Sequence, residues 1–347
     1  MAARVAALTP FAAPSVRGNA ITVERIVRGL RDRGVELRVW DLSVVPEAAV
    51  EHQFSQFDPA LVHAFHAFRT GPPALRLARR AEVPLLVTIT GTDVNEDLLD
   101  ADSAPVVRRV LEGASAISVF DESMAGVIVE AMPESAARLV VVPQSVVFEA
   151  VSGHWPLAAP LQRAPGPIIL FPAGIRKVKR PTLPLEPFEQ LLAEYPTLEL
   201  VYVGPILDPS EGEELLAMLA ARPWARHLGA VPHNRMPALF ELADIVLNCS
   251  VSEGGMANSV LEALALGRAV LASDIAGNRS IVEDGVTGFL FDTPEAMVTK
   301  ADRLLRDPDL RACFGEAGRE RVNARFSLDR EIDGYLAAYT RLSPAFR

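Results

Sequence analysis

The sequence predicts an α/β fold of two domains, each built on a parallel β-sheet. Short β-branched runs alternate with helical patterns along the chain, which is typical of strands joined by crossover helices. This alternation stops over residues 149–167 and then starts again. The chain has 347 residues, which is enough for two domains of about 150 residues each.

The first half of the chain is predicted to form one sheet. After the first strand, apolar residues recur at helical spacing from Ile21 to Leu30, and Gly34 ends that helix. Strands that alternate with helices in this way form a parallel sheet covered on both faces. The predicted strands are Val5–Thr9, Val35–Leu42, Leu61–Phe65, Leu85–Thr90, Ala116–Phe120 and Leu139–Val142.

Residues 149–167 contain four prolines and show no periodicity, so we interpret them as a linker between domains. Beyond it, helices are predicted from Thr182, over about 259–266, and from Glu295 to Ala338 with a break at Pro308. The predicted strands are Ile168–Pro172, Leu198–Val203, Ile245–Asn248 and Ala269–Ser273. Since open α/β sheets bind ligands at the carboxyl ends of their strands, the expected site is the cleft between the two domains.

Composition excludes several classes of protein. The 34 basic and 44 acidic residues give a net charge of −10, which argues against binding to nucleic acid or to anionic lipid. Cys249 and Cys313 cannot form a disulfide framework, so a reducing cytoplasm is expected. No apolar stretch reaches the roughly 18 residues of a membrane helix, and Pro10 and Pro14 interrupt any signal peptide.

The most informative segment runs from Asn248 to Gly277. A strand is followed by a short glycine-containing loop and then by a helix, whose free N–H groups and positive dipole end suit a phosphate. Glu253 and Glu262 flank that loop, and carboxylates are good acceptors for pairs of sugar hydroxyls. This pattern indicates a nucleotide-sugar. The alternatives are a capping box, Ser259 to Glu262, and an ordinary turn at the two glycines.

A second candidate follows the first strand of the second domain. Arg176, Lys177, Lys179 and Arg180 are predicted to lie at the carboxyl end of that strand, facing the cleft. Cations in this place stabilise the charge that develops on a departing nucleoside diphosphate. The alternative is a solvated basic loop.

Weaker candidates lie in the first domain. Gly18 precedes a helix and allows a close backbone approach, although its loop lacks a dinucleotide fingerprint. Asp93, in the stretch TITGTD, is either a general base, an acceptor ligand or a helix N-cap, with the cap favoured by the sequence alone. His63 and His66 are interpreted as core or strand-end histidines rather than a metal pair. The basic residues Arg25, Arg28 and Arg31 are interpreted as a solvated helix face, with a patch facing a membrane or the acceptor as the alternative.

At these residues the sequence resembles family 4 glycosyltransferases with the GT-B fold, also called glycosyl transferases group 1. The segments LEALALGRAVLASDIAG and EDGVTGFLF carry the resemblance most strongly. It implies two Rossmann-like domains with parallel sheets facing a central cleft. It also implies a nucleotide-sugar donor bound mainly by the C-terminal domain, and transfer with retention and without a metal. The predicted domains are 1–155, with a C-terminal helix over 328–347 packing back on it, and 165–327.

The family pattern is carried over residue by residue. Glu262 matches the glutamate that binds the ribose hydroxyls, and Glu253 matches the one that contacts the donor sugar. Eight residues separate them here, whereas the family has seven. Arg176 and Lys179 match the residues on the diphosphate. The predicted catalytic residues are thus Arg176, Lys179 and Glu253, and the predicted donor-binding residues are Gly18, Asn19, Gly254, Gly255, Met256, Ala257, Asn258, Ser259 and Glu262.

One position departs from the family. Thr90 stands where many members have a histidine near the reacting centre, and a threonine cannot carry a proton at neutral pH. Thr90 and Asp93 are predicted near the acceptor and the sugar. The TGTD stretch and the Gln144–Ser145 pair, with the R-x-x-K and Glu-Gly-Gly elements, also resemble selenosugar synthases of the same fold group.

The expected function is therefore a retaining, metal-independent transferase that uses an NDP-sugar as substrate, with UDP-sugar favoured, and an unidentified acceptor. No further cofactor is expected. A selenosugar synthase acting on UDP-N-acetylglucosamine and selenophosphate, a sugar-nucleotide epimerase and a non-catalytic nucleotide-sugar-binding protein are the alternatives.

Overall fold

The structure is a computed structural model that describes residues 3–12, 18–148 and 166–347. The chain forms two compact units. Unit 1 combines Met1–Ser145 with Phe326–Arg347, and unit 2 is Val146–Arg325. Residues 149–165 of the predicted linker, with the predicted boundary at 155, lie outside the described residues.

Unit 1 is built on a six-stranded sheet in the order β2-β1-β3-β4-β5-β6, and all of its neighbouring strands are parallel. Its strands are β1 Arg4–Thr9, β2 Glu36–Asp41, β3 Leu61–Phe65, β4 Leu85–Thr88, β5 Ala116–Val119 and β6 Leu139–Val141. Its first helices are α1 Gly18–Asp32, α2 Glu47–Phe57, α3 Gly71–Ala81, α4 Thr92–Asn95, α5 Ala104–Gly113 and α6 Glu122–Ala131. All the strands predicted for this half are confirmed, within two residues at each end.

Unit 2 contains a second parallel six-stranded sheet, in the order β12-β11-β10-β7-β8-β9. Its strands are β7 Ile168–Pro172, β8 Glu199–Val203, β9 Ala225–His227, β10 Ile245–Asn248, β11 Ala269–Ser273 and β12 Phe289–Phe291. Its helices are α7 Leu185–Phe188, α8 Pro209–Ala220, α9 Met236–Leu242, α10 Asn258–Ala265, α11 Ala276–Arg279, α12 Pro294–Arg306 and α13 Pro308–Arg325. The sequence prediction missed β9 and β12, which are too short to show a pattern.

The last predicted helical stretch, Glu295–Ala338, has a second break that the sequence analysis did not find. After α13 ends at Arg325, the side chain of Ser327 accepts a hydrogen bond from the backbone N–H of Arg330 and begins a new helix, α14 Leu328–Leu342. Serine is a favoured N-cap residue because its hydroxyl satisfies such an orphan N–H. Helix α14, which follows this second break, belongs to unit 1.

The order of strands in unit 2 positions its loops. Strands β8 and β9 lie on one side of β7, and β10, β11 and β12 lie on its other side. The direction in which successive strands are added therefore reverses between β9 and β10. Such a reversal leaves a crevice at the carboxyl ends of the two strands where open α/β sheets bind their ligands. The loops that follow β7 and β10 therefore lie at the switch point of unit 2.

Helix α14 packs on α1 in unit 1 through a buried ion pair. The guanidinium of Arg25 donates two hydrogen bonds, of 2.8 and 2.9 Å, to the carboxylate of Glu331. The side chain of Glu331 is fully buried and that of Arg25 is 8% exposed. The interpretation of Arg25 as part of a solvated face is therefore wrong, whereas Arg28 and Arg31 are exposed.

A second buried contact joins α14 to the sheet. His63 on β3 is fully buried. Its Nδ1 lies 2.7 Å from the Tyr339 hydroxyl, and its Nε2 lies 2.6 Å from Oγ1 of Thr88. The interpretation of His63 as a core histidine is confirmed.

The burial of His63 predicts that unit 1 loses stability in acid. Burial lowers the pKa of this imidazole from 6.5 to about 3, so the ring is neutral when the protein is folded. Below pH 6.5 the unfolded chain binds a proton there and the folded chain does not, so stability is full above pH 6.5 and falls as the pH drops towards 3. Because of this imidazole, the unfolding free energy measured by urea unfolding is expected to fall by about 2 kcal/mol when the pH is lowered from 7 to 5.

The His63→Gln variant is the control, because a neutral amide binds no proton in this range. Its unfolding free energy is expected to fall less steeply with acid than that of the wild type. Equal slopes in the two proteins would contradict the assignment.

Candidate active site

The site begins with an ion pair between the two loops at the switch point of unit 2. Lys179 lies in a short 3-10 turn, Lys177–Lys179, after β7, and Glu253 lies in the loop after β10. The Nζ of Lys179 is 2.6 Å from both carboxylate oxygens of Glu253. The two side chains are 13% and 8% exposed. Two residues that the sequence predicts as separate parts of the site are thus in direct contact.

Polar neighbours fix the carboxylate of Glu253. The Ser250 hydroxyl donates to its Oε1 at 2.6 Å, and the amide nitrogen of Asn248 donates to the same oxygen at 2.9 Å. Burial raises the pKa of Glu253, but the charge of Lys179 and these hydrogen bonds outweigh burial, so the net pKa lies below its usual value. The group is therefore a carboxylate at neutral pH, oriented from several sides.

The glycine at position 277 makes room for this loop. A Cβ on Gly277, in α11, would overlap the carbonyl oxygen of Gly255 and lie 2.9 Å from the Cβ of Glu253. Gly255 itself has a φ of +122°, a backbone conformation that side chains rarely adopt. The position of Glu253 depends on these two glycines.

The remaining cations of the basic loop have different roles. The guanidinium of Arg180 donates to the carbonyl oxygen of Cys249 at 2.7 Å and so holds the end of β10. Among residues 3–12, 18–148 and 166–347, the side chains of Arg176 and Lys177 have no hydrogen-bond partner. Lys177 is exposed and Arg176 is half-buried. Of the four predicted cations, Lys177 is therefore the solvated one, whereas Lys179 and Arg180 are hydrogen-bonded within unit 2.

Glu262 does not form the capping box that was the alternative to its predicted role in binding the donor. Helix α10 begins at Asn258 with Ala257 as its N-cap, so Glu262 lies too far along the helix to reach the N-cap. Its Oε1 is instead 2.8 Å from the Nε2 of His233. The side chain of Glu262 is 9% exposed.

The predicted donor-binding segment 254–259 comprises the end of the loop before α10 and the first two residues of that helix. No side chain caps the helix at Ala257. Met256 and Ala257 are buried, so their side chains are part of the core. The roles predicted for Gly254, Gly255, Asn258 and Ser259 stay predictions.

The candidates of unit 1 lie at the carboxyl edge of its own sheet. Helix α1 begins at Gly18, and the buried Oδ1 of Asn19 has no hydrogen-bond partner within the described part of the chain. Asp93 is fully buried, and its carboxylate accepts hydrogen bonds from the backbone N–H groups of Thr90, Gly91 and Ala67. The N-cap of α4 is Gly91, so the interpretation of Asp93 as an N-cap is wrong: it holds the loop together instead. Roles near the acceptor stay predictions for Thr90 and Asp93.

Sequence reasoning assigned no site role to His66, Asn248 and His233. His66 follows β3 directly and has a φ of +88°, which is uncommon for a residue with a side chain. Its Nε2 lies 2.9 Å from the hydroxyl of Thr92 in the TGTD loop. For Asn248, the only available signal was a polar residue at the end of an apolar strand, and His233 lies in a stretch with no periodicity.

Residues 3–12, 18–148 and 166–347 contain neither a metal centre nor a helix that could span a membrane. There, no group of three or more His, Cys, Asp and Glu side chains is placed to hold a metal ion. The helices of these ranges are all too short or too polar to cross a bilayer.

Comparisons with known proteins agree with this architecture. Residues 158–321 match the family described as Glycosyl transferases group 1, and residues 4–144 match the Glycosyl transferase 4-like domain. The chain is 28% identical over 327 residues to Glycosyltransferase 1 domain-containing protein 1 of Xenopus tropicalis, covering 92% of each chain. It is 31% identical over 193 residues to D-inositol 3-phosphate glycosyltransferase of Salinispora arenicola, covering 52% of this chain and 42% of that one.

Solved structures share the fold. Anabaena HepE, crystallised in complex with UDP-glucose, has a TM-score of 0.80 at 16% identity, covering 98% of this chain and 100% of that one. Sucrose-phosphate synthase from Thermosynechococcus elongatus has a TM-score of 0.82 at 19% identity, covering 98% and 99%.

These findings define the chain as a glycosyltransferase with the GT-B fold. More particularly, its first half matches the Glycosyl transferase 4-like domain and its second half matches Glycosyl transferases group 1. None of the four proteins described above is named as a selenosugar synthase, and that resemblance stays a prediction.

Proposed function

We propose that the chain transfers a hexosyl or N-acetylhexosaminyl group from a UDP-sugar to an acceptor, with retention of configuration and without a metal. The observation that carries the proposal is the Lys179–Glu253 pair at the switch point of unit 2, where parallel sheets bind ligands. The UDP-glucose in the HepE crystal structure supports a uridine donor.

Each charged group has a role in the proposed site. The ammonium of Lys179, with the guanidinium of Arg176, stabilises the negative charge that grows on the departing diphosphate. Glu253, already ionised and oriented by Ser250 and Asn248, accepts hydrogen bonds from the donor sugar. Glu262 accepts hydrogen bonds from the ribose hydroxyls.

The proposed reaction takes place on one face of the sugar. The bond between the anomeric carbon and the phosphate oxygen breaks as the acceptor oxygen bonds to the same carbon from the same side. The acceptor's proton passes to the departing phosphate oxygen, so the reaction needs no side-chain base. UDP leaves with the electron pair of the broken bond.

The ribose assignment predicts a specific loss of nucleotide affinity. Replacing Glu262 by alanine removes a charged acceptor for the ribose hydroxyls, and hydrogen bonds to charged groups contribute about 1.5–3 kcal/mol. We therefore expect UDP to bind roughly tenfold to hundredfold more weakly to Glu262→Ala than to the wild type, measured by titration calorimetry. UDP is also expected to bind the wild type more tightly than GDP.

Glu241→Ala is the matched control, since Glu241 is an exposed glutamate on the neighbouring helix α9. Its affinity for UDP is expected to equal that of the wild type. If UDP binds equally well to Glu262→Ala and to the wild type, the ribose assignment is wrong.

A further inference from the structure

The proposed ribose carboxylate has a histidine against it that the sequence did not reveal. Nε2 of His233 lies 2.8 Å from Oε1 of Glu262. His233 opens a short 3-10 turn, His233–Arg235, between β9 and α9. His233 lies in this turn and Glu262 lies in helix α10 of the same unit, so the contact is tertiary and is not a by-product of one helix.

The chemistry of the two groups fixes the direction of this hydrogen bond. A carboxylate only accepts hydrogen bonds, so Nε2 of His233 carries a hydrogen and donates it. Within the described part of the chain, Oε2 of Glu262 has no hydrogen-bond partner. The histidine therefore occupies one carboxylate oxygen and leaves the other for a ligand.

Burial gives this contact its importance. Only 9% of the Glu262 side chain is exposed, against 27% of His233. A carboxylate that is mostly removed from water needs donors from the protein, and a fixed donor also limits how the carboxylate can rotate. Without His233, Glu262 would have to be oriented by the ligand itself.

The loop that carries His233 is fixed at both ends. Before it, the backbone N–H of Gly204, at the end of β8, donates to the carbonyl oxygen of Gly229 at 2.9 Å. After it, Pro237 follows at the start of α9, where a proline is compatible with the first turn of a helix. His233 thus lies between a backbone contact with the end of β8 and the start of α9.

We propose that His233 is a positioning residue for the nucleotide: it holds the carboxylate of Glu262 in the orientation in which Oε2 accepts from the ribose hydroxyls. The proposal rests on the proposed function, since it assumes that Glu262 binds the ribose. It assigns His233 no contact with the reacting atoms.

The test compares UDP with 2′,3′-dideoxy-UDP, which lacks both hydroxyls, on purified full-length protein by titration calorimetry. His233→Ala is expected to bind UDP roughly threefold to tenfold more weakly than the wild type and to leave the affinity for the dideoxy nucleotide unchanged. His233→Gln is expected to recover most of the UDP affinity, because its amide provides an N–H donor. A purely structural role for His233 would weaken both nucleotides equally, and that result would overturn the proposal.

The Glu262→Ala variant distinguishes a failure of the ribose site from a failure of the role proposed for His233. If it loses the preference for UDP over the dideoxy nucleotide while His233→Ala keeps that preference, the ribose site is supported and the role of His233 is overturned. If Glu262→Ala keeps the preference, the ribose assignment itself fails, and the role of His233 fails with it.

Discussion

Replacing Glu331 by alanine is expected to lower the unfolding free energy of unit 1 by about 3–5 kcal/mol. The variant removes the carboxylate that pairs with the guanidinium of Arg25, and only 8% of the Arg25 side chain is exposed. The Ser145 hydroxyl, 2.5 Å from Oε2 of Glu331, also loses its acceptor. An uncompensated buried charge costs more than the intact pair contributes, because the charge has already been removed from water.

Hydrogen exchange measured by mass spectrometry is the appropriate assay, since it reports each unit separately. In Glu331→Ala, peptides from α1 and α14 are expected to exchange faster, whereas peptides from β10 and β11 in unit 2 keep their protection. Asp329→Ala is the control on the same helix. Asp329 forms an ion pair with Arg33 in which the aspartate is 83% exposed, so its loss is expected to cost no more than about 1 kcal/mol.

The double variant Arg25→Met, Glu331→Leu tests the explanation. Replacing a buried ion pair by apolar side chains of similar volume is often neutral or stabilising. The double variant is therefore expected to be more stable than Glu331→Ala. If the two are equally unstable, the loss comes from packing and not from the buried charge of Arg25.

The sheets could be predicted from the sequence because parallel strands buried on both faces are continuous apolar runs. Ile168–Pro172 is such a run, and its predicted bounds agree with the structure. Ala225–His227 could not be found in this way, because it has three residues, two of them polar. It belongs to the sheet only through its pairing with β8.

The site was predictable in its residue types but not in its contacts. Short sequence patterns gave Lys179 and Glu253 separately, and only the strand order, which places β10 beside β7, brings them together. The capping box at Glu262 failed for a local reason: the helix begins at Asn258, and a shift of two residues at its start removes the geometry of the box. The interpretation of Arg25 as solvated was wrong because Glu331, to which it donates, lies 306 residues away in the sequence.

The largest effect on activity is expected from Lys179. The ammonium is held 2.6 Å from Glu253, so in the proposed site it is positioned before the donor binds and needs little reorganisation as charge develops on the diphosphate. Removing one such preorganised electrostatic group costs roughly a hundredfold to a thousandfold in kcat. We therefore expect Lys179→Ala to release UDP from UDP-glucose or UDP-N-acetylglucosamine at a rate lower by about that factor.

Lys177→Ala is the matched control, because this lysine lies in the same turn but is exposed and has no partner among the described side chains. Its rate of UDP release is expected to stay within about twofold of the wild type, since an exposed, unpaired lysine has no preorganised contact to lose. Glu253→Gln keeps a side chain of the same shape and removes the charge that pairs with Lys179, so it is expected to lower the rate as well. A folded Lys179→Ala protein with the wild-type rate would show that the diphosphate is stabilised elsewhere, whereas losses in both Lys179→Ala and Glu253→Gln would show that catalysis depends on the pair.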